Sequence, residues 1–250
     1  MVVSESIWCY TVAESKSVFL NQGSRFYLKT LLYNVKVILN KYRHAWVFLY
    51  AFIYFPWFNW LEKNVTSGYS LVSSPLDSYI PFVEFFIVPY LLWFAYMAVT
   101  CFYFFFTSRE EFYKFTKMCI IGMTLFLIIC TVFPNGLRLR PMVFPRDNIF
   151  VDLVRFIYSV DTPTNVLPSL HVYNSVACHI AIMHNEKLSQ NRLISTGSFI
   201  LSFSIVLSTM FLKQHSVIDV ISAFIMIYFV YSAIYASSKQ KRPALAHQTI

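Results

Sequence analysis

The sequence predicts an all-α polytopic membrane protein, one domain built as a bundle of six transmembrane helices. Three observations predict it. Of the 250 residues 57% are hydrophobic and only 13% are charged, against about 25% charged in soluble globular domains. Six apolar runs follow one another at 44–61, 84–106, 116–133, 168–184, 193–212 and 215–236, each roughly long enough to cross about 30 Å of hydrocarbon. The net charge of +8 comes from Lys and Arg placed at the ends of these runs, where they set orientation in a membrane. That placement argues against a nucleic-acid-binding surface.

Residues 1–43 are expected to form a cytosolic N-terminal region. Within it, 25–43 alternate apolar and basic residues, with Lys29, Tyr33, Lys36 and Asn40 at helical spacing on one face. Two readings stay open: an interfacial helix on an anionic leaflet, or a cytosolic extension of the first span. No short apolar core followed by a small-residue cleavage site precedes residue 44, so no signal peptide is expected and the first span should direct insertion. Residues 62–82 and 134–167 are expected as loops, the second the longest after the N-terminal region. The run 168–184 is the most polar, with His171, Asn174, His179 and His184. A span of that kind must face protein or a cavity. Residues 237–250 are expected as a cytosolic tail, closing a membrane domain over 44–236.

Orientation follows from charge. With both termini in the cytosol, fourteen of the twenty Lys and Arg residues fall on the inner side and six on the outer, the bias that the positive-inside rule requires. Five of the outer six are Arg138, Arg140, Arg146, Arg155 and Lys213. The triplet Asn64-Val65-Thr66 is a glycosylation sequon on the same outer side. Of the five cysteines, four lie inside apolar runs and none form a CxxC pair. They read as small hydrophobes rather than disulfide partners or zinc ligands. No third ligand clusters with the histidines, so no metal site is expected.

The ionisable residues collect at four span ends. "PNGLRLRP" (134–141) follows the third run, "LPSLH" (167–171) opens the fourth, "STMFLKQH" (208–215) closes the fifth and "HSVID" (215–219) opens the sixth. The expected topology puts all four on the outer face. His215 and Asp219 are four residues apart and so share one helix face. The carboxylate can accept from one imidazole nitrogen, which fixes the tautomer and leaves the other nitrogen as nucleophile.

These motifs resemble the type 2 phosphatidic acid phosphatase superfamily, whose signatures read K-x6-R-P, P-S-G-H and S-R-x5-H-x3-D. Here the third reads Ser208-Thr209, five residues, His215, three residues, Asp219, with Thr209 at the family's Arg. The second reads Pro168-Ser169-Leu170-His171, with Leu170 at the Gly. The first keeps Arg140-Pro141, while the Lys position falls on Phe133. The resemblance covers roughly 116–225. The PSLH form and the KQH run are most similar to the branch that contains inositol phosphorylceramide synthase.

The resemblance implies a six-span fold of that superfamily and a phosphohistidine formed on His215, with Asp219 stabilising the charged ring. His171, from a different span, can stand across the phosphate as acid for the leaving alkoxide and then as base for the incoming water or alcohol. Fixed donors lower the barrier to phosphoryl transfer. The candidates are the planar fork of Arg140, the point charge of Lys213 in place of the missing family cation, the Ser169 hydroxyl, and the N–H groups of Ser169 and Leu170 at a helix start. Ser208 joins them by motif match, and Arg138 and Asn135 are further candidates. Arg138, Arg146 and Arg155 also read as ordinary loop charges, Lys213 as a snorkelling lysine, and His179 and His184 as structural histidines.

The function expected is that of an integral membrane lipid phosphatase or phosphotransferase. It would act on a phosphorylated lipid at the extracytoplasmic or lumenal face, among membrane lipids, without metal or other cofactor and without nucleic acid. Water as acceptor gives a phosphatase. A lipid or sugar hydroxyl gives a head-group transferase of the inositol phosphorylceramide synthase type. The reading from another class is a non-catalytic anion-binding or transport protein.

Overall fold

In the computed structural model the described residues are 30–236, and the tail at 237–250 lies outside them. The chain divides into two compact units, 1–46 and 47–250. In the first, helix α1 runs over 30–41 with its side chains exposed. This is the stretch expected as an interfacial or extended cytosolic helix; residues 25–29 of that expectation, with Lys29, lie outside the described residues.

The described part of the second unit is mostly helical. A 3-10 segment, Arg43–Tyr50, runs across the division at 46, and the second unit then contains α2 (Ala51–Asn64), α3 (Ile87–Thr107), α4 (Arg109–Val132), α5 (Ile149–Val160), α6 (Leu170–His184), a short α7 (Glu186–Ser189), α8 (Arg192–Phe211) and α9 (Val217–Tyr231). Among the described residues, four stretches are long and apolar enough to cross a bilayer: Glu84–Thr107, Arg109–Val132, Arg192–Phe211 and Val217–Tyr235. They correspond to the second, third, fifth and sixth apolar runs. The first run is divided between the 3-10 segment and α2, which carries Pro56 in its interior. The fourth run forms α6, only 15 residues long.

Boundaries follow local chemistry. Ser108 separates α3 from α4 in extended conformation, and its hydroxyl accepts from the N–H of Glu111. Two acidic residues in that first turn, Glu110 and Glu111, suit the positive end of the helix dipole. Asn191, Asn148 and Ser216 cap α8, α5 and α9 in the same manner.

Helix α6 is the hub, packed against α3, α4, α8 and α9. This explains how a helix holding Asn174, Ser175 and Tyr173 persists in so apolar a protein, because all three are buried against protein. Tyr173 reaches α4 only because residue 122 is glycine. A Cβ there would lie 2.1 Å from the Tyr173 ring. The phenol in turn donates to the Met118 carbonyl at 2.8 Å.

A polar layer covers one end of the bundle. Strand β1 (Ser70–Leu71) pairs in parallel with β2 (Asn135–Gly136), Ser70 opposite Asn135, and Gly136 bridges to Thr164. Three distant loops are thereby tied over the starts of α6 and α9. The stretch 134–167, expected as loop, contains α5. Its inner face, Val154 and Ile157, packs with Ile87 and Tyr90 of α3 and with Leu212.

Candidate active site

Two helix starts carry the central residues. Beyond α8, Lys213 adopts a left-handed φ of 55°, uncommon for a residue with a Cβ. The chain then turns so that the N–H groups of Gln214 and His215 both donate to the Thr209 carbonyl at 3.0 Å. Ser216 begins α9. Asp219, fully buried, returns one oxygen, Oδ2, to the Ser216 N–H at 2.8 Å and to His215 Nδ1 at 3.3 Å. One carboxylate therefore caps the helix and orients the imidazole, as the spacing predicts. With Nδ1–H donating, the lone pair lies on Nε2.

His171 is the second residue of α6, after Ser169 at the N-cap. Rings rather than carboxylates hold it. Tyr90 stacks at 4.5 Å between centroids and Trp93 lies tilted at 4.5 Å. Its Nε2 is buried and has no hydrogen-bond partner. The His171 and His215 rings are 6.0 Å apart. The N–H of Ser169 donates to the Asp219 carbonyl at 3.2 Å, which fixes the two helix starts to each other.

Both histidines line a cavity of about 320 Å³. Its walls include Tyr54, Phe58, Tyr90, Trp93 and Phe126, and its polar end adds Asp161, Asn165 and Gln214. The exposed members of the lining are Phe55, Phe94 and Val160, so its rim is apolar. Besides His171 Nε2, the Gln214 Nε2 and Asn165 Oδ1 atoms are buried without partners. Polar atoms left so are costly unless a ligand or water meets them. Burial raises the Asp161 carboxyl above the usual carboxylate range, with Arg140 opposing that shift.

Comparison with family models, with characterised proteins and with solved structures finds no match.

The expected phosphate donors are placed very differently from one another. Leu170 lines the cavity, and its N–H belongs to the first turn of α6, where no intrahelical partner exists. The N–H of Ser169 is not free, since Asp219 accepts it, and the Ser169 hydroxyl accepts from Val172 N–H in capping α6. Ser208 is fully buried, and its hydroxyl donates to the Ile205 carbonyl at 2.6 Å. Asn135 is a clamp. Its Oδ1 accepts from the N–H groups of Val166 and Leu167, both at 2.9 Å, shaping the approach to Pro168. Arg138 is exposed and does not line the cavity.

The two cations are corrected most. Arg140 lies over the Tyr158 ring at 4.5 Å. It donates to the carbonyls of Tyr158, Asp161 and Thr162 and to Gln214 Oε1, the last at 2.6 Å. Its fork thus holds the end of α5 and turns Gln214 so that Nε2 is the group left for the cavity. Lys213 does not substitute for a family cation at the cavity wall. Its ammonium donates to the carbonyls of Asp77 and Ile80, fastening the 75–80 loop.

Sequence reasoning missed five residues. Asp77 accepts from the Ser216 hydroxyl at 2.6 Å and the Val217 N–H at 2.9 Å, giving α9 a second anionic cap. Asp161 and Asn165 sit just before the "LPSLH" motif, and Gln214 sits inside "LKQH". Glu62 of α2 binds the Thr162 hydroxyl and Asn165 Nδ2 at 2.5 and 2.7 Å, holding that strip against α2. Proximity to the motifs was a usable signal for Asp161, Asn165 and Gln214. No local signal marks Asp77.

Proposed function

We propose that the chain is a six-span integral membrane enzyme of the type 2 phosphatidic acid phosphatase kind, acting on a phosphorylated lipid. The observation that carries the reading is the convergence of His215, backed by Asp219, and His171 in one cavity whose exposed rim is apolar. Such a rim accepts an acyl or prenyl chain while the phosphate reaches the polar end. Both termini lie in the cytosol and the site lies on the extracytoplasmic or lumenal side.

In the first step His215 Nε2 attacks phosphorus and the P–O bond to the leaving alkoxide breaks. His171, charged once the anionic phosphate is bound beside it, gives that oxygen its proton. In the second, water or an alcohol attacks the phosphohistidine, the P–N bond breaks, and His171 takes the acceptor's proton. Gln214 Nε2 and the Leu170 N–H are the donors available to the phosphate oxygens. Arg140 acts as a positioning residue. Release of free phosphate identifies a phosphatase; a new phosphorylated lipid without release identifies a head-group transferase. The test follows both products from labelled phospholipids and prenyl phosphates in detergent micelles, for wild type and His215→Ala. The expected result is turnover that the variant abolishes at unchanged expression.

One observation favours a second reading. Among the described residues no Lys or Arg lines the cavity, because Arg140 and Lys213 are engaged with carbonyl groups. A non-catalytic lipid-binding or transport protein would have that property. Binding of the lipid panel with no product from folded wild-type protein would support it over the enzyme.

A further inference from the structure

Helix α5 has three faces. Val151, Val154 and Ile157 are buried against the protein. Ile149, Leu153, Phe156 and Val160 recur at helical spacing on a second face and are exposed, Ile149 by 70%, Phe156 by 61% and Val160 by 63%. Asp152, Arg155 and Ser159 make a third face, exposed and polar, on which Arg155 pairs with Asp152 at 2.8 Å and with Asp147 at 2.9 Å. A helix needing only water outside would not keep an apolar stripe beside a charged one. Before α5, Met142 and Val143 are exposed as well, by 99% and 83%.

Depth identifies the occupant. The buried face of α5 touches Ile87 and Tyr90, in the first turns of a span, and Leu212, just past the end of another. The helix therefore lies at the level of the span ends, where hydrocarbon meets head groups. Twelve residues make about 18 Å of helix, too short to cross a bilayer of about 30 Å. We propose that α5 is an in-plane membrane-interface helix. Ile149, Leu153, Phe156 and Val160 enter one leaflet, while Asp152, Arg155 and Ser159 face water. Val160 belongs both to this stripe and to the cavity rim, so the leaflet runs without a polar break into the candidate site. Exposed Arg138, at the same end of the protein, has the sign that suits lipid phosphates.

The proposal rests on the membrane placement of the bundle and not on the enzyme reading. It is tested with the full chain in phosphatidylcholine vesicles, carrying a benzophenone side chain in place of one residue at a time. Lipid adducts are read by mass spectrometry after illumination. Positions 149, 153 and 156 should give lipid adducts, and 152 and 159 none above background. Position 225, an exposed site within α9, is the insertion control. Adducts at 225 but none on the apolar stripe would overturn the proposal. So would equal labelling of both stripes, or chain-to-chain crosslinks at 149 and 156, which would mean that a second copy covers the stripe. No adduct at 225 would sink the membrane placement itself and the proposal with it, leaving the chemistry of the histidines untested by that result.

Discussion

His215 and His171 line the same cavity but are held by opposite means. Hydrogen bonds fix His215: its backbone to the Thr209 carbonyl and its ring to a carboxylate that also caps α9. Ring contacts fix His171, stacked on Tyr90 and tilted against Trp93, and leave Nε2 without a partner. A carboxylate specifies a tautomer, whereas aromatic rings specify only a plane. The first arrangement suits a nucleophile whose lone pair must stay on one atom. The second suits a group that must both give and take a proton.

The largest effect should come from breaking the first arrangement. Asp219→Asn keeps the shape of the site but no longer enforces the His215 tautomer. Turnover in the micelle assay should fall by about 10³–10⁴-fold, the scale seen when such a carboxylate becomes an amide, with the melting temperature in detergent little changed. Turnover close to wild type would show that the 3.3 Å contact does not orient the ring for chemistry.

Removing one wall of the second arrangement should cost less. Trp93→Ala lets the His171 ring swing, and a misplacement near 1 Å is worth about 10²-fold. The loss should appear in kcat more than in KM. An unchanged kcat would mean that Tyr90 alone defines the plane.

Gly122→Ala acts below the site. Its methyl group would displace the Tyr173 ring and its bond to Met118, an overpacking worth about 1–3 kcal/mol. Thermal unfolding in detergent should show that loss, while the turnover of protein that remains folded stays near normal. An equal loss of turnover would mean that α6 does not hold His171 as a rigid body.

The smallest effect concerns Asp161. Burial raises its carboxyl, so the folded protein keeps a proton that the unfolded chain has released. Stability should then decline as pH rises from the ordinary carboxylate value, about 4, through the raised one. Asp161→Asn lacks that proton. Its melting temperature relative to wild type should increase with pH across this window, and a difference constant with pH would contradict the shift.

The long apolar runs made four spans legible, since run length alone identifies helices such as α4 and α8. Motif spacing made the His215, Asp219 and His171 grouping legible, because residues four apart share a face and two helix starts lie on one side. Helix α5 was not legible as helix. Its exposed apolar stripe fills the role that polar residues usually take, and Pro145 and Pro163 on either side read as loop. The cation assignments failed for a different reason. A sequence shows that Arg140 and Lys213 are charged but not which carbonyls surround them, and those carbonyls belong to turns at 77–80 and 158–162. Asp77 was hidden by distance, since its partners lie 139 and 140 residues away.

That separation bears on how the protein is made. Asp77 leaves the ribosome long before Ser216 and Val217, the groups it binds. At about 5–20 residues per second the interval is roughly 7–28 s. Until then α9 lacks its start, and the Ser169 N–H lacks the Asp219 carbonyl. The two histidines cannot meet before residue 215 has been made, so a copy that ends short of it carries no assembled site.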